Sequence, residues 1–225
     1  MLTATALTKK FGDLTALSEI NLEIADGDFI FLTGPSGAGK TTFFRLILKD
    51  IDPTSGSLTV LGEDIKLLTG DKLNKYRRQI GTVFQDYRLL MEKNVWENIA
   101  LPLQFRKLPL KDIELAVKLS LEMVGLTGKA DQFPAQLSGG ELQRVSIARS
   151  IVGKPKLLLA DEPTGNLDPK TSKSILKLLE DIHKELKTTV IMATHNVELV
   201  NSKVTRVISL SGGKIVKDNP KGKYE

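Results

Sequence analysis

A run of glycines closed by a lysine and a threonine is where this 225-residue sequence first combines residue types and spacing that could do chemistry. Gly34-Pro35-Ser36-Gly37-Ala38-Gly39-Lys40-Thr41 has phosphate-loop spacing; it follows an apolar run at Phe29 to Thr33 and opens an apolar helix at Thr42 to Leu48. Glycines let successive backbone N–H groups converge on phosphate oxygens at a helix start, where the peptide dipoles also favour negative charge. Lys40 then reaches the β- and γ-phosphates, and the Thr41 hydroxyl ligates magnesium. An ordinary glycine turn does not explain the strand before it and the helix after it.

A second group of candidates closes another apolar run. Leu157-Leu158-Leu159-Ala160 ends in Asp161 and Glu162. Side chains alternate along a strand, so adjacent carboxylates can take separate tasks at its C-terminal end, where open α/β sheets bind ligands. Asp161 is placed to hold magnesium, directly or through water, and Glu162 to polarise or deprotonate an attacking water. The plain alternative is an acidic turn before Pro163. A third group, Ser138-Gly139-Gly140, precedes a helix and offers a hydroxyl and free amides to an anion. Taken alone, it is only a helix cap.

Elements must bring these segments together. Apolar or β-branched runs at Ile20 to Ile24, Phe29 to Thr33, Leu58 to Leu61, Gly81 to Phe84, Leu157 to Ala160, Val190 to Thr194 and Val204 to Leu210 read as strands. Several are continuously apolar, which suits a mostly parallel sheet covered on both faces by helices. Helical periodicity marks Leu110 to Val124, Glu141 to Val152 and Thr171 to Leu186, the last with Ile175, Leu178, Leu179 and Ile182 on one stripe. Between Asp86 and Pro155 helical pattern dominates, which places a helical lobe inside an α/β core. The expectation is one domain over residues 1–225, with a core lobe of about 1–85 and 156–225 and a helical lobe of about 86–155.

Composition narrows the partners. No cysteine is present, so disulfides and the usual structural zinc sites are excluded. The first residues lack a signal-peptide pattern, and no stretch approaches a membrane span of ~18 apolar residues, so no direct membrane insertion is expected. The formal net charge of +5 is spread over scattered lysines and indicates no nucleic-acid surface. The basic run of Lys214, Lys217, Lys221 and Lys223, with Tyr224, reads as a solvated tail.

Leu137-Ser138-Gly139-Gly140-Glu141-Leu142-Gln143-Arg144, joined with Gln85 after a strand, Gly165-Asn166-Leu167-Asp168 and His195, resembles the ATP-binding cassette (ABC) family over essentially the whole length. That resemblance implies a P-loop NTPase fold of mostly parallel core sheet, antiparallel β subdomain and inserted helical lobe. It implies ATP and Mg2+ as ligands and a homodimer on ATP binding, in which two subunits pack head to tail. Each ATP then lies between one subunit's phosphate loop, Gly34 to Thr42, and the other's Ser138, Gly139 and Gly140. By position, Gln85 joins the lobes and senses magnesium and the γ-phosphate. His195 contacts the γ-phosphate and orients Glu162, Asp168 communicates between the two sites, and Phe11 stacks on adenine. A core phenylalanine is the rival reading of Phe11. His183 sits on a polar helix face and is set aside.

Val83-Phe84-Gln85-Asp86-Tyr87-Arg88-Leu89-Leu90, Val95-Trp96-Glu97-Asn98 and Met192-Ala193-Thr194-His195 look like the cell-division branch of that family, and are shared in part with lipoprotein-releasing and macrolide-exporting ATPases. The resemblance implies an integral membrane partner of the FtsX kind. It also implies a cytoplasmic location, peripheral on the inner face of the membrane, and activation of cell-wall hydrolases rather than solute transport. A soluble DNA-repair ATPase would need a heptad insertion, and a translation-associated one two cassettes; neither is present. Asn196 replaces the family's usual aspartate after the histidine, and Leu142 and Ser146 vary the helix after Ser138. The stripe Val95, Ile99 and Leu103 has two readings, a border of the surface that meets a membrane partner or packing within the helical lobe.

Overall fold

The computed structural model describes residues 1–106, 108–202 and 205–222. Two sheets share the core. The antiparallel one has four strands in the order β2-β1-β4-β5: β1 Leu2–Phe11, β2 Leu14–Ile24, β4 Ser55–Val60 and β5 Glu63–Asp64. The other has six strands in the order β10-β9-β3-β8-β7-β6: β3 Phe29–Thr33, β6 Ile80–Val83, β7 Leu157–Asp161, β8 Thr189–Ala193, β9 Thr205–Ser211 and β10 Lys214–Gly222. Its strands run parallel except β10, which pairs antiparallel at the edge.

The continuously apolar strands are buried on both faces. Leu157 and Leu159 join Ile30, Leu32 and Ile191 on the side of helix α1 (Lys40–Ile47) and the antiparallel sheet. Leu158 and Ala160 join Phe31, Val190 and Met192 on the other side. Helices α3 (Val95–Gln104), α4 (Leu110–Val124), α5 (Gly139–Ile151) and α6 (Pro169–Leu186) contribute to that second cluster. Between β6 and β7 the long helices are α3, α4 and α5; α2 (Gly70–Arg77) precedes β6 and α7 (Val197–Asn201) follows β8.

Several sequence expectations change here. Val95, Ile99 and Leu103 are 0%, 0% and 2% exposed inside the core cluster, so that stripe is packing within the core. The basic run from Lys214 is strand β10, held to β9 by the ladder and by the two-point pair of Arg206 with Asp218 (2.9 and 2.7 Å). Lys223 and Tyr224 lie outside the described residues, as does Val204 at the start of the expected last strand. His183 is half-buried rather than on a polar face: its Nδ1 lies 2.8 Å from the Thr188 carbonyl, and its ring packs edge-on against Phe29.

Strand register decides where the chemistry gathers. Leu32 and Asp161 both pair with Ala193, and Val83 pairs with Ala160. The C-terminal ends of β3, β6, β7 and β8 are therefore level. The segments that follow them, from Gly34, Phe84, Glu162 and Thr194, emerge along one edge, where a parallel α/β sheet forms its ligand crevice.

Candidate active site

A cavity of about 930 Å3 opens along that edge. Its wall includes every loop residue from Pro35 to Thr42, together with Phe11, Gln85, Asp161, Glu162 and His195. Segments up to 184 positions apart in the chain, from Phe11 to His195, are thus brought to one place. Gly34, Ser138, Gly139, Gly140 and Asp168 are not part of the wall.

The loop needs its glycines at two close approaches. Gly34 has φ 142°, and a Cβ there would collide with the Leu210 carbonyl; Gly39 has φ 107°, and its Cβ would come within 2.7 Å of the Ala16 carbonyl and the Leu17 side chain. Gly39 is also the N-cap of α1, with no side-chain cap and no acid in the first turn. The amides at this helix start consequently face the cavity without a side-chain acceptor. Lys40 is folded back on its own loop, donating to the carbonyls of Gly34 (2.7 Å) and Pro35 (3.1 Å).

Asp161 and Glu162 take different positions, but not by strand alternation: β7 ends at Asp161, and Glu162 leaves it in a left-handed conformation. Asp161 accepts a hydrogen bond from the Thr41 hydroxyl at 3.0 Å. Burial pushes its carboxyl above the ordinary pKa; the Thr41 bond opposes this, and the neighbouring Glu162 charge adds to it. Oxygen donors from one threonine and one desolvated carboxylate fit magnesium, which usually takes one or two carboxylates and completes its shell with water and substrate phosphates. Among the described residues no cluster of three or more histidines, cysteines or acids could hold a metal unaided.

Glu162 has φ 48°, a conformation that is uncommon for a non-glycine residue and that turns its side chain off the strand. Its carboxylate lies 2.8 Å from His195 Nδ1 and 3.8 Å from Lys40 Nζ. Its own N–H donates to the Ala193 carbonyl at 2.9 Å, which ties it to the end of β8. Glutamate, histidine and lysine thus converge on one wall.

Phe11 is 42% exposed, which excludes a core role, and Lys9 Nζ stands 4.9 Å from its ring centroid. Gln85 donates to the Asn166 side chain at 3.1 Å, and Asn166 returns a bond to the Gln85 carbonyl at 3.2 Å. The close approach requires Gly165, whose Cβ would lie 2.9 Å from Gln85 Nε2. Asn166 and Arg88 both line the cavity and were given no role from sequence. Asn166 lies within the Gly165–Asp168 motif and Arg88 within the Val83–Leu90 segment, but nothing in either pattern marks these two residues as cavity-facing.

Away from the cavity, Ser138 caps α5 in a capping box with Glu141. Its N–H and hydroxyl donate to the Glu141 carboxylate at 2.9 and 2.8 Å, and the Glu141 N–H donates back at 3.4 Å. Lys129 pairs with the same carboxylate at 3.1 Å. The Ser138 N–H, with its hydroxyl and Lys129, holds the Glu141 pKa down to about 2. Asp168 caps α6, accepting from the N–H groups of Lys170 and Thr171 at 2.9 and 3.0 Å.

Comparison with known proteins places this geometry. Residues 17–165 match the family model described as ABC transporter. The cell division ATP-binding protein FtsE of Mycobacterium tuberculosis (strain ATCC 25618 / H37Rv) is 48% identical, over 100% of this chain and 98% of its own length. The methionine import ATP-binding protein MetN 1 of Burkholderia ambifaria is 44% identical over 92% of this chain, an alignment that spans 60% of MetN 1. The dimeric post-hydrolysis structure of the ATP-binding cassette MJ0796 bound to ADP and Pi superposes with a TM-score of 0.87 at 34% identity, covering 100% of both chains.

Proposed function

This chain belongs to the ABC transporter family of ATPases, and on that premise we propose that it binds and hydrolyses ATP as a homodimer serving a membrane partner in cell division. The observation that carries the reading is Glu162, held by His195 at 2.8 Å beside Lys40 and facing an uncapped helix start across the cavity. Phe11 stacks on adenine and the amides of residues 36–42 take the phosphates. Lys40 exchanges its bonds with the Gly34 and Pro35 carbonyls for β- and γ-phosphate oxygens.

Thr41 and Asp161, with Gln85 at the edge, would hold magnesium, which when bound neutralises charge on the β- and γ-phosphates. Glu162 accepts a proton from the attacking water while the water oxygen bonds to the γ-phosphorus. The β–γ bridge breaks, and ADP and phosphate leave. His195 keeps the Glu162 carboxylate aimed at that water.

Ser138, Gly139 and Gly140 stand outside the cavity and supply the γ-phosphate contacts of the opposite subunit, so two copies form two sites. Asp168 lies beside that segment: a Cβ on Gly140 would come within 2.8 Å of Thr171, the residue that Asp168 caps. It is read as the link between the two sites. The chain is one cassette, with a core lobe of about 1–85 and 156–225 and a helical lobe of about 86–155.

Among the described residues no helix is long and apolar enough to cross a membrane. Attachment at the inner face of the membrane is therefore assigned to an integral partner of the FtsX kind, and the output to activation of cell-wall hydrolases. The full-length likeness to FtsE supports this. A second cavity of about 570 Å3, lined by Arg77, Arg78, Arg106 and Arg149 beside Leu101 and the 67%-exposed Phe105, offers the partner a basic, partly apolar surface. The likeness to MetN 1 favours a transport reading instead.

Glu162→Gln tests the ATPase assignment. The amide keeps the shape but cannot take a proton, so hydrolysis is expected to fall by about 10²–10⁴-fold while ATP binding persists and an ATP-bound dimer accumulates on size exclusion. Hydrolysis at the wild-type rate would remove Glu162 from its role. Reconstitution in liposomes with the membrane partner separates the outputs: ATP-dependent solute accumulation supports transport, and a change in an external partner loop without accumulation supports the cell-division reading.

A further inference from the structure

Two residues after Gln85 the backbone adopts a conformation that its residues disfavour. Tyr87 and Arg88 have φ of 58° and 51° in consecutive positions, and the Arg88 N–H donates to the Asp86 carbonyl at 2.6 Å. A left-handed non-glycine residue costs about 1–2 kcal/mol, and such residues persist only where surrounding structure holds them. Glycine would remove the penalty at either position, but neither is glycine.

The restraint is visible. Arg149, in the last turn of α5, donates from Nη1 to the Arg88 carbonyl at 2.7 Å and from Nη2 to the Tyr87 carbonyl at 2.8 Å. A guanidinium suits this because its planar fork presents parallel donors at fixed spacing, which an ammonium lacks. Burial lowers the Arg149 pKa, so the charge is held in a partly dry place and its donors are committed to these carbonyls. The turn so held has contacts on two sides. Phe84, Gln85, Asp86 and Arg88 line the nucleotide cavity, and the Arg88 guanidinium lies 3.8 Å over the Phe84 ring. The Tyr87 hydroxyl reaches the start of α5, where a Cβ on Gly139 would lie 3.3 Å away.

We infer that Arg149 is a positioning residue for ATP hydrolysis: by clamping Tyr87 and Arg88 in the left-handed conformation it fixes Gln85 at the cavity edge and makes that edge move with α5. Arg149 touches neither substrate nor reacting atoms, so it acts through the turn. The inference rests on the reading that Gln85 faces ATP.

The test combines Arg149→Ala with substitutions at Tyr87. Without the clamp the turn relaxes, and kcat is expected to fall about tenfold or more, a barrier increase of about 1.4 kcal/mol. The KM for ATP should stay within about twofold, because the phosphate loop and Phe11 are unaffected. Adding Tyr87→Gly to Arg149→Ala should recover at least half the lost rate, since glycine enters the left-handed region without a restraint, whereas Tyr87→Ala should recover none. Arg149→Lys, whose single ammonium cannot span both carbonyls, should show a smaller loss with the same glycine-only rescue, and it serves if Arg149→Ala does not fold.

Wild-type kcat in both Arg149 variants overturns the inference, and so does equal rescue by glycine and alanine or rescue by neither. The Glu162→Gln measurement separates the two levels. If that variant still hydrolyses ATP, the underlying site reading fails. If it does not and Arg149 proves dispensable, only the clamp fails.

Discussion

Two helices of this protein begin with glycine-rich segments suited to anions, and they are built in opposite ways. Helix α1 starts at Gly39 with no side-chain cap and no acid in its first turn, so its amides are open to the cavity. Helix α5 starts at Ser138 with a complete capping box, Glu141 in its first turn and Lys129 paired to that acid. The open start is incomplete until a phosphate arrives. The capped start satisfies itself, and a carboxylate occupies the region where the proposed γ-phosphate of another subunit would approach.

This difference ranks the two halves of the site. Orphan amides at a helix start are pre-arranged donors, so binding to the phosphate loop needs only that Lys40 swing from the Gly34 and Pro35 carbonyls to phosphate. Engaging Ser138 means redirecting a hydroxyl now committed to Glu141, in a box of a kind that stabilises a helix by about 1 kcal/mol. Nucleotide should bind first to the loop of one subunit. Dimerisation follows when two phosphates together outweigh two boxes.

Lys40→Ala breaks the open half and should have the largest effect. Lys40 is buried, 3.8 Å from Glu162, and a charged hydrogen bond is worth about 1.5–3 kcal/mol, so ATP affinity should fall about 10–100-fold. Isothermal titration with ATP measures this. Wild-type affinity would mean that the lysine stays on the Gly34 and Pro35 carbonyls and does not move to phosphate.

Ser138→Arg breaks the capped half and should leave ATP binding to the single subunit unchanged, because Ser138 is outside the cavity wall. ATP-driven dimerisation should be lost on size exclusion. Mixing this variant with Lys40→Ala builds one site carrying both lesions and one carrying neither, so partial ATPase activity should return. Mixed dimers with no activity, combined with failure to crosslink Ser138 of one subunit to Gly37 of the other, would defeat the head-to-tail arrangement.

The same contrast explains what could be read in advance. The open half was legible because its chemistry is local: the glycine spacing, Lys40 and Thr41 are consecutive, and strands β3, β7 and β8 announce themselves as continuous apolar runs. Strand β1 was not legible, because its ten residues mix threonine and lysine with apolar positions and gain their identity from pairing with β2 and β4. Strand β10 likewise needs β9 and the Arg206–Asp218 pair before its lysine-rich run reads as a strand. The Val95, Ile99 and Leu103 periodicity was real, but periodicity identifies an apolar face without saying what covers it. The left-handed turn at Tyr87 and Arg88 left no trace in residue type, since its cause is an arginine 61 and 62 positions away.

Glu141→Gln sharpens the comparison and should have the smallest effect. Glutamine retains the oxygen that accepts from the Ser138 N–H and hydroxyl, so the box keeps its shape while losing its charge. A single charge in the first turn of a helix is worth about 0.3–1 kcal/mol, in this case stabilising α5 and opposing an incoming phosphate. Less ATP should then be needed for half-maximal dimerisation, by about two- to fivefold, while the subunit itself becomes slightly less heat-stable. Lys129→Met should act in the opposite direction, because it removes the cation that offsets Glu141. The pH dependence separates charge from shape. The folded pKa of Glu141 is depressed to about 2, so its contribution to stability is present above the unfolded carboxylate value and is lost only as pH falls through the folded one. The carboxylate stays ionised throughout pH 5–8, and the gain in dimerisation from Glu141→Gln should be constant across that range. A gain that vanishes at pH 5 would show that the Glu141 carboxyl becomes protonated there and is not held down by its partners, and an ATP requirement that rises instead of falling would show that the acid at the capped start assists phosphate binding rather than competing with it.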